Sequence, residues 1–196
     1  MSREAPVRFR EGLGVKLPRA TRLVICCRDT AEEAMSVMRG MMSQLKLTVN
    51  ETKTRLCRLP EDTFDFLGYT LGRNYDCRRG KSYLGPRPSR KKIDRLCGAI
   101  RELTEGRKAW RDVEELVGRI NRKLRGWSNY FRIGTVSKAY RNIDSHTRYR
   151  VRQWLCAKFK VPGQGRNPFP DQYLHEKLGL YQLQRTKRQR FVGERV

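Results

Sequence analysis

Acidic residues are scarce in this chain. Asp and Glu number 20 against 44 Lys and Arg, which leaves a formal net charge of +24 on 196 residues. So unbalanced a chain repels itself when compact, and its charge points to a polyanionic partner. RNA is the leading candidate and DNA stands beside it, because each neutralised phosphate releases counterions. Long apolar runs are missing as well: nothing approaches a membrane-spanning length. No leader-like segment opens the sequence. A membrane partner and secretion are therefore not expected, and a cytoplasmic (bacterial-type) or, in a eukaryote, organellar setting is. Histidine is nearly absent, with only His146 and His175, and the six cysteines include no C-x-x-C pair. That removes the common zinc frameworks, so neither a metal nor another cofactor is expected. Cys26, Cys97 and Cys156 lie in apolar patterns and are expected to be small buried residues. There is no phosphate-cradling glycine loop and no nucleophile triad. Asp144 and His146 stand two apart on a helical pattern, a spacing at which side chains do not face each other. No small-molecule substrate is expected.

What is present changes character at Pro86. Residues 1–22 show no period and read as irregular or disordered. Leu23–Cys27 ("LVICC") reads as a short buried strand. A helix is expected from Thr30, which fits a capping box with Glu33, and Ala34, Met38, Met41, Met42 and Leu45 follow at helical spacing. The runs "TRLCRL" from Thr54 and "FDFLGYTL" from Phe64 read as two strands of a hairpin turned at Pro60-Glu61-Asp62, and "KSYLG" from Lys81 as a third strand. After the breaker "PRPS", Ser89 is placed to cap a helix. Three apolar stripes follow: Ile93, Leu96, Cys97, Ile100 and Leu103; then Val113, Leu116, Val117, Ile120 and Leu124, ending near Gly126; then Tyr140, Ile143, Thr147, Val151, Trp154 and Leu155. Three amphipathic helices in succession imply a small bundle. "VPGQGRNPFP" from Val161 reads as a linker, and the tail from Asp171 as one short helix before a basic end. The fold class is α+β: a strand–helix–hairpin piece followed by a three-helix bundle.

Two stretches carry the candidate binding chemistry. Arg73, Arg78, Arg79, Lys81, Arg87, Arg90, Lys91 and Lys92 crowd into one segment against a single acid, Asp76. Arg offers phosphate a planar fork and Lys a mobile point charge, and the helix opening after Ser89 adds N–H groups that hold anions. The second stretch is "GRINRKLRGWSNYF", Gly118–Phe131. On a helix Ile120, Leu124, Trp127 and Phe131 share one face, which places Trp127 and Phe131 in the core. Arg119, Arg122, Lys123 and Arg125 spread around the remainder, and Gly126 permits close approach of a neighbouring helix or a backbone. Asn129 and Tyr130 turn elsewhere, within reach of RNA; packing alone is the other reading of the whole motif. In "FDFLGYTL", an unbulged strand puts Phe64, Phe66 and Gly68 on one face and Leu67, Tyr69 and Leu71 on the other.

Three stretches in order, "LKLTVNETKT", "FDFLGYTL" and "INRKLRGWSNYF", resemble the group II intron-encoded reverse transcriptase–maturases. The resemblance covers roughly Leu23 to Phe159 and implies the carboxyl-terminal half of such a protein. It makes residues 23–85 the end of a polymerase palm, 86–160 a thumb or maturase-specific domain, and 161–196 a linker and basic tail. It matches Lys53 and Thr54 to the family's Lys-Thr pair, where the lysine lies near nucleotide phosphates. Phe66, Leu67, Gly68 and Tyr69 match a primer-grip-like hairpin, and Arg125, Gly126, Trp127, Asn129, Tyr130 and Phe131 the thumb signature. The departure is as informative. Where the family carries Tyr-Ala-Asp-Asp before the "LVICC"-like strand, this chain reads Arg19-Ala20-Thr21-Arg22. Thr21 and Arg22 thus occupy the positions of two metal-binding carboxylates, and polymerisation through two metals needs carboxylates. The resemblance therefore implies an RNA-binding maturase remnant for group II intron RNA, with no polymerase activity of its own and no catalytic residue. Mg²⁺ would enter only if a partner completed a polymerase in trans. A half of a split reverse transcriptase and a non-functional product of a truncated gene are the alternatives.

Overall fold

The computed structural model describes residues 24–27, 30–76 and 80–183. Thr21, Arg22, Arg78 and Arg79 lie outside the described residues. The chain divides into two compact units, one up to Leu56 and one from Cys57 onward.

In the first unit the principal element is α1, Ala31–Gln44. The apolar pattern correctly foretold this helix, though not its degree of burial. Ala34, Met38 and Met42 are half-buried, while Met41 and Leu45 are exposed. Thr30 occupies the N-cap position with no side-chain hydrogen bond, so the expected capping box is not formed. Residues 24–27 are not a strand, and Cys26 is exposed, against expectation. Among the described residues no strand pairs with this apolar run, and β-propensity alone does not make a ladder. A 3-10 turn, Glu51–Lys53, follows. Asn50 Oδ1 accepts the Lys53 N–H at 3.2 Å, and Arg39 of α1 pairs with Glu51 at 2.9 Å.

The second unit opens with an antiparallel sheet of β1 (Phe64–Phe66), β2 (Tyr69–Asp76) and β3 (Lys81–Pro88), in that order. The hairpin expected at Pro60-Glu61-Asp62 is not there. "TRLCRL" is irregular, and the chain reverses inside "FDFLGYTL", with Phe66 opposite Tyr69. Leu67 (φ 48°) and Gly68 (φ 84°) form the two-residue turn. Positive φ at both central positions matches the twist of a tight hairpin. Because paired residues share a face, Phe66 and Tyr69 lie together, which overturns the alternation expected of one continuous strand. The third strand from Lys81 is present and runs to Pro88.

Three helices follow: α2 (Arg90–Leu103), α3 (Val113–Tyr130) and α4 (Ser137–Phe159). Their apolar stripes meet as expected. Leu96 and Ile100, then Leu116, Val117, Ile120 and Leu124, then Tyr140, Ile143, Val151, Trp154 and Leu155 form one core. Helix α3 runs four residues beyond Gly126, and Gly126 is exposed; among the described residues nothing lies near a Cβ placed on it and no helix uses the space it leaves. Asp112 caps α3 by accepting from the N–H groups of Glu114 and Glu115 at 2.8 and 3.1 Å. Those bonds, Glu115's first, hold its carboxyl below the usual range. Ser89 stands at the α2 N-cap, buried, but its side chain makes no cap bond. Its backbone N–H instead donates to Gly68 O at 2.9 Å, which ties the helix start to the hairpin turn.

The segment after α4 carries no helical period long enough to announce its burial, yet Phe169, Leu174, Leu180 and Leu183 all enter the core. Leu174 belongs to a single π-helical turn, Tyr173–Lys177, the short helix expected after Asp171. Asn121 of α3 clamps the returning chain: its amide nitrogen donates to Gly179 O at 2.9 Å, and its oxygen accepts the Tyr181 N–H at 2.8 Å. Among the described residues no helix is long and apolar enough to cross a membrane.

Candidate nucleic-acid interface

The hairpin turn and the end of α3 are joined by an aromatic latch. Tyr130 donates its hydroxyl to Leu67 O at 2.7 Å, and Tyr69 donates its own to Tyr130 O at 2.7 Å. The two bonds run in opposite directions between the same segments, so they fix the approach of both. The Phe131 ring lies 5.0 Å from that of Tyr69 and 4.5 Å from that of Trp127. Tyr140 of α4 donates to Phe131 O at 2.9 Å. A Cβ on Gly68 would meet the Lys92 stem at 2.9 Å and the Phe131 ring at 3.2 Å. Gly68 therefore serves both its positive φ and a close approach. The two motifs that lie more than fifty residues apart in sequence thus form a single packed joint.

That joint redistributes the expected roles. Phe131 is buried, as expected, and Trp127 is half-buried with its indole nitrogen enclosed and unpartnered. Tyr130 is half-exposed but holds the hairpin, so its hydroxyl is committed to Leu67. Asn129 is exposed. Lys92 is half-buried along Gly68, whereas Arg90 and Lys91 are exposed. Arg90 also pairs with Asp94 at 3.0 Å, one turn along α2.

The structure divides the basic segment of the sheet between two faces. Arg87 pairs with Thr70 and Lys81 with Asp76, while Arg73 pairs with Leu84. Strand alternation then puts Lys81 and Arg87 on one face and Arg73 on the other, beside Tyr69 and Leu71. On α3, Arg122, Lys123 and Arg125 are exposed, and the Arg125 guanidinium lies 5.3 Å from the Tyr181 ring centre. Lys53 is exposed in the first compact unit.

Sequence reasoning passed over several exposed groups on the helical bundle. Trp110 is 78% exposed in the loop between α2 and α3, with the Arg111 guanidinium 5.7 Å from its ring centre. An open groove of about 760 Å³ runs along α4, lined in part by Asn142, Arg148, Tyr149 and Arg166. The signal was available: Asn142, Ser145, Tyr149 and Arg152 recur at steps of three and four, the polar stripe opposite the apolar one. In the same helix Asp144 accepts the Leu183 N–H at 3.1 Å, and burial pushes its carboxyl above the usual range. His146 donates from Nε2 to Cys97 O at 3.2 Å, and burial lowers its pKa. The two do not form an acid–base pair. Among the described residues no three His, Cys, Asp or Glu side chains cluster as metal ligands would.

The second unit is thus an α+β scaffold in which a three-helix bundle with an apolar core and exposed basic side chains is keyed to a small hairpin sheet. Residues 93–174 match the family model of the group II intron, maturase-specific domain. The matched span is a maturase-specific domain, and the match supports a group II intron maturase carboxyl-terminal region. The matched span holds Arg122, Lys123, Arg125, Asn129 and Tyr130, all three bundle helices except the first turn of α2, and the groove along α4. A comparison with curated proteins finds no match.

Proposed function

We propose that the protein binds group II intron RNA and assists splicing by favouring the folded, splicing-competent form of that RNA. The match of residues 93–174 to the maturase-specific domain carries this reading. The exposed Arg90, Lys91, Arg122, Lys123 and Arg125 support it, since structured RNA is engaged largely through shape and backbone. A protein that binds only the folded RNA shifts the folding equilibrium by mass action, and the chemistry remains with the RNA. Lys53, Lys81, Arg87 and Arg73 are further candidate phosphate contacts. Arg78 and Arg79 belong to the same proposal on sequence grounds. Phe66, Leu67, Gly68 and Tyr69 then act as the hairpin that positions the α3 end.

The test is binding of intron RNA and of an unrelated RNA at several salt concentrations, by the whole chain and by a variant with Arg90, Lys91, Arg122, Lys123 and Arg125 replaced by Gln. Each phosphate contact contributes about −0.9 to the log–log salt slope for a duplex and about −0.7 for a single strand. The expected result is tighter binding to the intron RNA and a flatter slope with weaker binding in the variant. Equal affinity and equal slope for a folded variant would overturn the assignment of these five side chains. No measurable RNA binding by the unaltered chain would overturn the function.

A further inference from the structure

The groove along α4 is built unlike the rest of the basic surface. One side is lined by α4, including Tyr149, which is 52% exposed. Its other wall comes from the segment after the helix, including Gln164, Arg166 and Asp171. That wall is pinned to the helix. Arg152 donates to Phe169 O at 2.8 Å and to Asp171, and Arg148 pairs with Asp171 at 3.4 Å. Phe169 is buried and stacks near Tyr173 and Phe159, so the wall is anchored from behind. Three arginines against one aspartate leave the groove positive.

Its dimensions fit a small ligand. The open groove of about 760 Å³ has room for one compact group, whereas an RNA duplex presents a broad backbone and hides its bases. The side chains form the set that unpaired nucleotides require. A half-exposed tyrosine ring is a stacking platform, arginine serves the phosphate, and the Asn142 and Gln164 amides offer both a donor and an acceptor to a base edge.

We infer that this groove holds an unpaired nucleotide of a single-stranded RNA segment, its base stacked on Tyr149 and an adjoining phosphate held by Arg166 and Arg148. The inference rests on the RNA-binding reading above and adds to it a site that reads a splayed-out base.

The experiment titrates the full chain and the variants Tyr149→Ala, Tyr149→Phe and Arg166→Gln against two probes. One is a labelled single-stranded oligoribonucleotide of about eight nucleotides, within the site sizes of single-strand binders. The other is the structured intron RNA. Tyr149→Ala should weaken oligonucleotide binding by about 5- to 150-fold, the loss expected of one stacked base. Tyr149→Phe should retain it, because the ring and not the hydroxyl carries the contact. Arg166→Gln should weaken it and flatten its salt slope by about 0.7. Unchanged affinity in Tyr149→Ala would overturn the site, as would an equal loss in Tyr149→Phe. A chain that binds intron RNA but not the oligonucleotide would overturn the site while leaving the proposed function standing. A chain that binds neither would overturn both.

Discussion

Tyr130 and Phe131 are adjacent, and the structure separates their duties. Phe131 is buried among Tyr69, Trp127 and Tyr130, so truncating it opens a cavity at the joint. Phe131→Ala should cost about 3–5 kcal/mol, a large share of the roughly 5–15 kcal/mol total of a small protein. Tyr130→Phe keeps the ring and removes the bond to Leu67, so it should cost only about 0.5–1.5 kcal/mol. Denaturant melts of the two variants check the ranking; equal losses would show that the hydroxyl, and not the packing, holds the hairpin. Asp144 supplies a pH test at the same scale. Its folded pKa is raised by burial, with the Leu183 N–H, Arg148 and His175 opposing that shift. A raised acid binds more protons folded than unfolded, so its contribution to stability falls as pH rises from its unfolded value through its folded one. Asp144→Asn keeps an oxygen to accept from Leu183 and carries no charge. It should melt higher than the unaltered protein at pH 7, with the gap closing toward the ordinary Asp range near pH 4. A gap that widens on acidification would refute the sign.

The elements meet through loops more than through helix caps. Of the four α-helix starts among the described residues, only that of α3, with Asp112, is capped by its side chain. The start of α2 is fixed by the Ser89 backbone on Gly68, and the loop before α4 is fixed on β3. There Thr135 donates its N–H to Pro86 O at 2.9 Å, and its hydroxyl bonds with Tyr83. Gly134 has φ 79°, and a Cβ on it would lie 2.0 Å from Pro86 O. Gly134→Ala must therefore push the loop off the strand, at a cost beyond the roughly 1–2 kcal/mol of a left-handed residue. Hydrogen exchange should show Thr135 losing protection ahead of the α3 core. Gly126→Ala is the paired control: no atom lies within 4 Å of the added Cβ, and the helix should gain up to about 1 kcal/mol. If both variants melted alike, the close approach at Pro86 would not be what holds the loop.

At the scale of the whole molecule, charge dominates. A net +24 opposes compaction, and bound polyanion relieves the repulsion. Thermal stability should therefore rise when structured RNA is added at low salt, and the rise should shrink as salt is increased. A melting temperature indifferent to RNA at every salt concentration would count against a polyanion partner. The chemistry the chain carries out belongs to the same scale. With Thr21 and Arg22 where the resembling family has metal-binding carboxylates, the chain alone should extend no primer in Mg²⁺ or Mn²⁺. Template-dependent incorporation by a preparation free of other polymerases would contradict that expectation.

The sequence by itself determined the three bundle helices, because their apolar residues recur at steps of three and four and only one face of each can be buried. Leu96 with Ile100, Leu116 with Ile120, and Ile143 with Trp154 were legible for that reason. It also determined the charge, and with "RGWSNYF" the kinship of the bundle. Only the tertiary structure decided what Tyr130 and Gly68 do, since Tyr130 reaches Leu67 and Gly68 reaches Ser89, Lys92 and Phe131 at separations that leave no local period. The place of the hairpin turn was decided in the same way. Leu67 accepts a positive φ that its side chain disfavours because Tyr130 and Ser89 bind the carbonyls of Leu67 and Gly68. The burial of Leu180 and Leu183 and the groove beside Tyr149 depend on a chain that returns across α3 and α4, and that return is fixed by Asn121, Asp144 and Arg152, single polar side chains whose partners lie at distances that periodicity does not encode.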